Sequence, residues 1–452
     1  MDQNKHIKQG AETKEVFNDY EFCPVPEEKT NTWKSQVFVW LGVGFCLTAF
    51  TLGGQIALGL GFWPTVAAVF LGGIILTFVG CLVGAIGVRS GLSSTVSSRF
   101  TFGTYGAVTF GLINAVCNFG WFGYQCTFFG SSITSMFKLA AGVDVSITVC
   151  IVVGGLLMML TAIVGYKGIK RLSQVGVPLL FLLVIAGVVK TFTIVPATQI
   201  FSARPSAPIS FATAVSLMVG SFIVGVSIVQ DFTRYSRTVK DSSIGVTLGF
   251  TLGYPAVVIC GAIFACAFQS NDLTNILIHI LGFGYIAAFI IVVATWTTND
   301  NNLYQSVLGL TNACHGIVKL PRWITTAICG IIATIMGALG MIDWFVPFLN
   351  LLCVVIPPIT GAMLADFYLL KNADRYRFDQ MDKIPNFRAD TSIGAIFGCL
   401  VGLCMNEAPV GFGVPFMVRL SNVVPTALVA MVCSIAVVML ANTLMTKQEA
   451  GA

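Results

Sequence analysis

Apolar runs of membrane-spanning length recur along this chain, and they leave few folds open. They fall near residues 36–60, 63–88, 106–137, 144–166, 170–193, 208–232, 241–268, 282–314, 322–341, 344–370, 390–406 and 421–446. A helical bilayer crossing takes about 20 residues. Composition agrees, since 56% of the 452 residues are hydrophobic and only 10% are charged, whereas soluble domains carry about 25% charged residues. The expected fold class is an all-α integral membrane protein with twelve transmembrane helices. The polar N-terminus has no apolar core of the kind a cleaved signal peptide needs. The net charge of +5 singles out no partner, because the charges follow topology.

An even number of spans puts both termini on one side. With the N-terminus inside, 21 of the 25 lysines and arginines fall on inner segments. The outer loops hold only Lys138, Lys190, Arg204 and Arg419. Positive charge concentrates on the cytoplasmic side of membrane proteins, so both termini are expected in the cytoplasm. The longest polar interruptions are the N-terminal tail, residues 1–35, and the loop at 371–389, both on that side. The 14 cysteines look like a disulfide framework only if position is ignored. Cys46, Cys81, Cys117, Cys150 and Cys353 sit within apolar runs and no CxxC pair occurs, so they read as small apolar core residues. Gly394, Gly398 and Gly402, spaced by four, mark a face for close helix packing.

Polar residues inside the spans are few, and at that depth they need partners or a purpose. The first span, "WLGVGFCLTAFTLGGQIALGLG", and the sixth, "LMVGSFIVGVSIVQDF", are glycine-rich near their middles. Glycine there serves either tight packing or a broken helix whose free carbonyls hold a cation and whose free amides hold a substrate. The first and sixth spans would be equivalent members of two five-helix halves, the pattern of an inverted-repeat transporter. The third span carries "NFGWFGYQC". Asn118, Trp121 and Gln125 share one helical face there. An indole between two amides suits a flat, polar, heteroaromatic ligand; the other reading is a hydrogen-bond cluster between helices.

The densest polar cluster, "ATWTTNDNNLY", begins at Ala294 in the eighth span. Thr297 and Thr298 offer neutral, hard hydroxyl oxygens to a small hard cation, although helical threonines also bond their own helix carbonyls. Asp300 is a carboxylate at membrane depth, either functional or paired with a neighbouring helix. Its place beside Asn299 suggests that it holds that amide. No phosphate loop, HExxH motif or nucleophile–base set appears, so an enzyme has no support.

"ATWTTNDNNLYQSVLGLTN", "NFGWFG", "VGSFIVGVSIVQDFTRYSR" and "SSRFTFGTYG" together resemble the nucleobase–cation symporter-1 family, and within it the bacterial cytosine permeases. The resemblance runs from about residue 35 to the last span. It implies a five-plus-five inverted repeat of the LeuT type, with helices 1 and 6 broken. The repeats would cover 36–193 and 208–370, with two further helices in 390–446 and a short cytoplasmic tail at 447–452. It implies sodium held by carbonyls of Gly42, Phe45 and Ala294 and by hydroxyls of Thr297 and Thr298. It places the base between Trp121 and Phe222, with the Ser221 backbone and the Asn299 amide as polar contacts, and Cys46 joins that set. Where cytosine permeases carry glutamine three residues before the tryptophan, this chain has Asn118. Gln125 stands where the hydantoin branch has its glutamine, so the edge of the pocket is a hybrid. The sixth-helix aromatic is phenylalanine, as in cytosine permeases.

The expected function is import of a nucleobase, cytosine first, by sodium-coupled symport with alternating access in the plasma (inner) membrane. The alternative is a proton-coupled permease for a purine or another nucleobase, using Asp300. Sodium serves as coupling ion and no other cofactor is expected. The expected partners are the base, sodium and the bilayer, with no nucleic acid and no obligate protein partner.

Overall fold

The computed structural model describes residues 20, 23–164, 166–314 and 321–451. Most of the 1–35 tail and the loop carrying Lys319 lie outside the described residues. Each of the twelve apolar runs holds helix. Six helices are long and apolar enough to cross a membrane by length and composition, and five shorter apolar helices accompany them. Among the described residues no strand forms, only an isolated bridge between Asn31 and Ser236.

The first run is split. Helix α1 (Trp33–Gly44) ends and α2 (Leu47–Leu60) begins on either side of two non-helical residues. Phe45 has φ −88° and ψ 75°, and Cys46 is extended at φ −129° and ψ 154°. The Cys46 amide donates to the Gly44 carbonyl instead of continuing the helical ladder. The remaining long helices are α3 (Phe62–Ser90), α4 (Ser94–Ala141), α5 (Ile147–Val164), α6 (Tyr166–Ile194) and α7 (Phe211–Ser227). They continue as α8 (Val239–Phe268), α9 (Gly284–Cys314), α10 (Arg322–Ala338), α11 (Phe345–Leu369), α12 (Ala389–Cys404) and α13 (Thr426–Gly451).

Two bodies enclose the middle of the molecule. In one, α2 and α1 pack on α8, and α3 packs on α7. In the other, α9 lies along α4, with α5 and α10 against them. Helix α11 joins α7 to the outer pair α12 and α13. The close-packing face on α12 is used as expected: a Cβ at Gly398 would lie 2.6 Å from the Ala430 carbonyl of α13. Cys46, Cys117, Cys150 and Cys353 are buried, and Cys81 is half-buried.

The sixth run is interrupted, but not at its glycines. Helix α7 continues through Gly220 and Gly225 to Ser227 and breaks at Ile228 and Val229, ahead of a single turn at Gln230–Thr233. Gly220 serves packing: a Cβ there would lie 2.5 Å from the Leu349 carbonyl of α11. A glycine pressed against a neighbouring helix is held in helical geometry by that contact, so the mid-span position expected from the sequence gives way to one near the helix end.

Helix α4 also bends, at Gly103, where φ is +78°. The 371–389 loop closes over this bend. Thr104 and Tyr105 amides donate to the carbonyls of Pro385 and Asn386. Arg388 bridges Asp366 and Asp390 at 2.5 and 2.6 Å. The Tyr376 hydroxyl donates to Asp366 at 2.6 Å, and burial beside that carboxylate pushes the phenol well above its ordinary range. The loop therefore anchors α4 at its bend, ahead of the stretch that carries the site described next.

Candidate functional site

A cavity of about 1070 Å³ lies between the two bodies. It reaches from Gln125 and Tyr254 to Asn31, Ser35 and Tyr235, at the end of the molecule where the N-terminal segment meets the turn after α7. Its walls come from α1, the α1–α2 break, α4, α6, α7, α8 and α9.

The helix break supplies bare backbone. Gly42 lies among the last four residues of α1, whose carbonyls have no partner within the helix. That end carries the negative pole of the helix dipole, which favours a cation. Gly42, Phe45 and Cys46 all line the cavity. The first amides of α2 receive no side-chain cap from Cys46, whose thiol instead lies 3.0 Å from the Thr48 hydroxyl.

Across the cavity, α9 presents Ala294, Thr297 and Thr298. Both hydroxyls donate to the Ala294 carbonyl, at 3.0 and 2.9 Å. This is the local bonding open to any helical threonine, and it also gathers three neutral oxygens at one spot. A small cation could be held there by the hydroxyl lone pairs once their hydrogens turn aside.

Helix α4 presents Asn118, Trp121 and Gln125 to the same cavity, and α7 presents Ser221 and Phe222. The Trp121 ring meets Phe348 edge-on at 5.2 Å, and Phe222 packs against Phe250 and Tyr254, each at 4.9 Å. These neighbours fix the two ring planes and leave both residues half-buried. The Ser221 hydroxyl donates to the Met218 carbonyl and accepts from the Tyr254 hydroxyl at 2.8 Å.

Two expectations need correction. Asn299 does not line the cavity. It is fully buried, and its amide nitrogen donates to the Phe122 carbonyl at 3.1 Å, with the sulfurs of Cys126 and Met158 at 3.4 Å. One helical position turns a side chain by about 100°, so Asn299 faces α4 and α5 while Thr298 and Asp300 face the opening. Among the described residues, Asp300 holds no amide and pairs with no neighbouring helix. It lines the cavity at 6% exposure, and neither carboxylate oxygen has a hydrogen-bond partner among the described residues.

Sequence reasoning missed Asn114 and Tyr254. Asn114 lies one turn before Asn118 and accepts from its amide; the spacing of four was the available signal. Tyr254 reaches Ser221 from α8, a tertiary contact with no local signature.

Comparison with known proteins decides the lineage. Residues 24–441 match the family model described as permease for cytosine/purines, uracil, thiamine, allantoin. The chain belongs to this permease family. It is 31% identical to the cytosine permease of Escherichia coli over 360 residues, 79% of this chain and 83% of that one. It is 24% identical to the allantoin permease of Bacillus subtilis, over 81% of this chain and 82% of that one. An inward-facing structure of Mhp1 superposes with a TM-score of 0.80 at 16% identity, covering 97% of this chain and 96% of that chain. A closed structure of Mhp1, a nucleobase-cation-symport-1 family transporter with bromovinylhydantoin bound, superposes with a TM-score of 0.77 at 16% identity, covering 95% and 96%. The permease thus has the Mhp1 fold, the LeuT-type five-plus-five architecture with its first and sixth helices interrupted, and it is a multi-pass membrane protein.

Proposed function

We propose that this permease imports a nucleobase by sodium-coupled symport, with cytosine the first candidate. One observation carries the reading: a single cavity joins a neutral oxygen cluster on α9, the carbonyl end of α1 and an aromatic–amide wall on α4. Sodium is held by carbonyls of Gly42, Phe45 and Ala294 and by hydroxyls of Thr297 and Thr298. The base stacks between Trp121 and Phe222, with Asn118, Gln125, Ser221 and Cys46 around its edge. Supporting the base as cargo are the family's description and the similarity to the Escherichia coli cytosine permease. Both termini lie in the cytoplasm, a placement supported by the distribution of lysine and arginine, and the two bodies, each drawing helices from both the 36–193 and the 208–370 half, rock against each other to expose the cavity alternately.

The mechanism follows from placement. A cation between α1 and α9 draws the two bodies together beside the base, so each ligand stabilises the arrangement the other needs. Coupling of this kind is reciprocal. Radiolabelled base uptake, with sodium and pH varied separately, tests it: uptake rises with sodium at fixed pH. Equal base affinity in sodium and choline buffers overturns the assignment.

A second reading has one observation in its favour. The unpartnered carboxylate of Asp300 in the cavity wall is the group a proton-coupled permease would use. Uptake driven by a pH gradient in sodium-free buffer would favour it.

A further inference from the structure

The amide of Asn118 has only one way to point. Its nitrogen lies 2.8 Å from the Asn114 backbone carbonyl and 2.9 Å from the Asn114 side-chain oxygen. A backbone carbonyl can only accept, so the nitrogen must occupy that end of the amide, and its two hydrogens are both used there. What Asn118 brings to the cavity is therefore its carbonyl oxygen, an acceptor that cannot become a donor. Both asparagines are 5% exposed, so water does not loosen the pair.

The neighbouring Ser221 side chain adds no free donor. The Ser221 hydroxyl gives its hydrogen to Met218 and receives the one from Tyr254. Gln125 is 1% exposed, and its side-chain oxygen meets no donor among the described residues. With no bond fixing that oxygen, Gln125 can present either end of its amide to a ligand. The two α4 amides are thus one locked acceptor and one adaptable group, beside the indole of Trp121.

We infer that the locked Asn118 oxygen accepts a hydrogen bond from the exocyclic amino group of the base, with Asn114 as the positioning residue that sets its polarity. The ligand class is an amino-substituted nucleobase, as against its oxo counterpart. An oxo group at that point would face another acceptor. This inference rests on the nucleobase reading above and deepens it.

The test is competition binding to the full chain in sodium buffer, using cytosine against uracil and adenine against hypoxanthine. The amine-free rings 2-pyrimidinone and purine complete the panel. Each amino base is expected to bind about ten- to a hundredfold more tightly than its oxo partner and its amine-free parent, the range for an unmatched buried polar group. Asn118→Leu should bring both ratios close to one while the oxo bases still bind, which also reports a folded protein. Asn114→Leu frees one of the two hydrogens and should narrow the ratios part of the way, an effect on selectivity that a purely structural role would not produce. If the wild-type protein binds uracil as well as cytosine and hypoxanthine as well as adenine, Asn118 takes a ring N–H or nothing, and the inference is overturned while the nucleobase reading stands. If no base binds at all, that broader reading falls first.

Discussion

The α4 and α9 walls of the cavity are built from different chemistry, although the two helices lie along each other. Helix α4 brings an indole and two amides, with ring and amide held by Phe348 and Asn114. Beside the break in α1, helix α9 brings two hydroxyls and a carboxylate, with the amides of Asn301, Asn302 and Gln305 further along the cavity, and both hydroxyls donate to their own helix. The first wall is set for shape and hydrogen-bond pattern before a ligand arrives. The second must rearrange its hydroxyl hydrogens to hold an ion. Selectivity should therefore follow α4, and coupling should follow α9.

The largest expected effect breaks the α9 half of that division. Thr298→Ala removes one neutral oxygen from the cluster around the Ala294 carbonyl. The sodium dependence of base binding should then disappear. A coupling of typical size shifts affinity by about 5–150-fold, so the variant in sodium should bind like the wild type in choline. Sodium stimulation that survives in Thr298→Ala would move the ion elsewhere.

Trp121→Ala attacks the other wall. Base–aromatic stacking is worth about 1–3 kcal/mol by alanine substitution in single-strand binding proteins, which corresponds to about ten- to a hundredfold in affinity. Stacking accepts any planar ring, so the loss should be similar for every base that binds. Titrating two or three bases against the variant checks this. A loss confined to one base would mean that the indole reads an edge rather than a face.

Some parts of this site were legible in the sequence and some were not, for a physical reason. The periodic spacing of Asn118, Trp121 and Gln125 required only that the third run be helical. A break was one of two readings of the glycines in the first run, favoured by the matching glycines of the sixth, and the structure places it at Phe45 and Cys46. The sixth run looked equally rich in glycine, yet its break falls at Ile228, because Gly220 is occupied by the Leu349 backbone of α11. A glycine reports freedom or close contact, and only the neighbouring helix decides which. Asn299 shows the same limit. Its neighbours along the chain face the cavity, but one step of helical rotation points it into the α4–α5 contact.

Asp300→Asn is expected to have a smaller effect than either change above. The carboxylate belongs to neither the oxygen cluster nor the aromatic wall. Replacing it should slow transport by altering the cavity lining while leaving sodium stimulation in place. Uptake assayed across sodium and pH gradients separates the readings. Loss of gradient dependence with uptake retained would make Asp300 the coupling group and shift the ionic role along α9.

The smallest expected effect on ligand binding comes from Asn299→Ala. In the resemblance to cytosine permeases this amide touches the base, and its removal would then weaken binding about tenfold or more. Here the amide donates to the Phe122 carbonyl, joining α9 to α4 away from the cavity, and accepts at 3.2 Å from the amide of Asn302, a cavity-lining residue one turn on in α9. Removing it leaves buried polar groups with fewer partners, at a cost of about 1–3 kcal/mol to the folded state. The variant should therefore melt at a lower temperature, and base affinity should change less than threefold because neither wall loses a lining group. Thermal unfolding and equilibrium base binding on the same preparation distinguish the two outcomes. A stable variant with tenfold weaker binding would show that α9 turns toward the cavity when the base is present, and the division of labour between the two walls would then have to include an edge contact from α9.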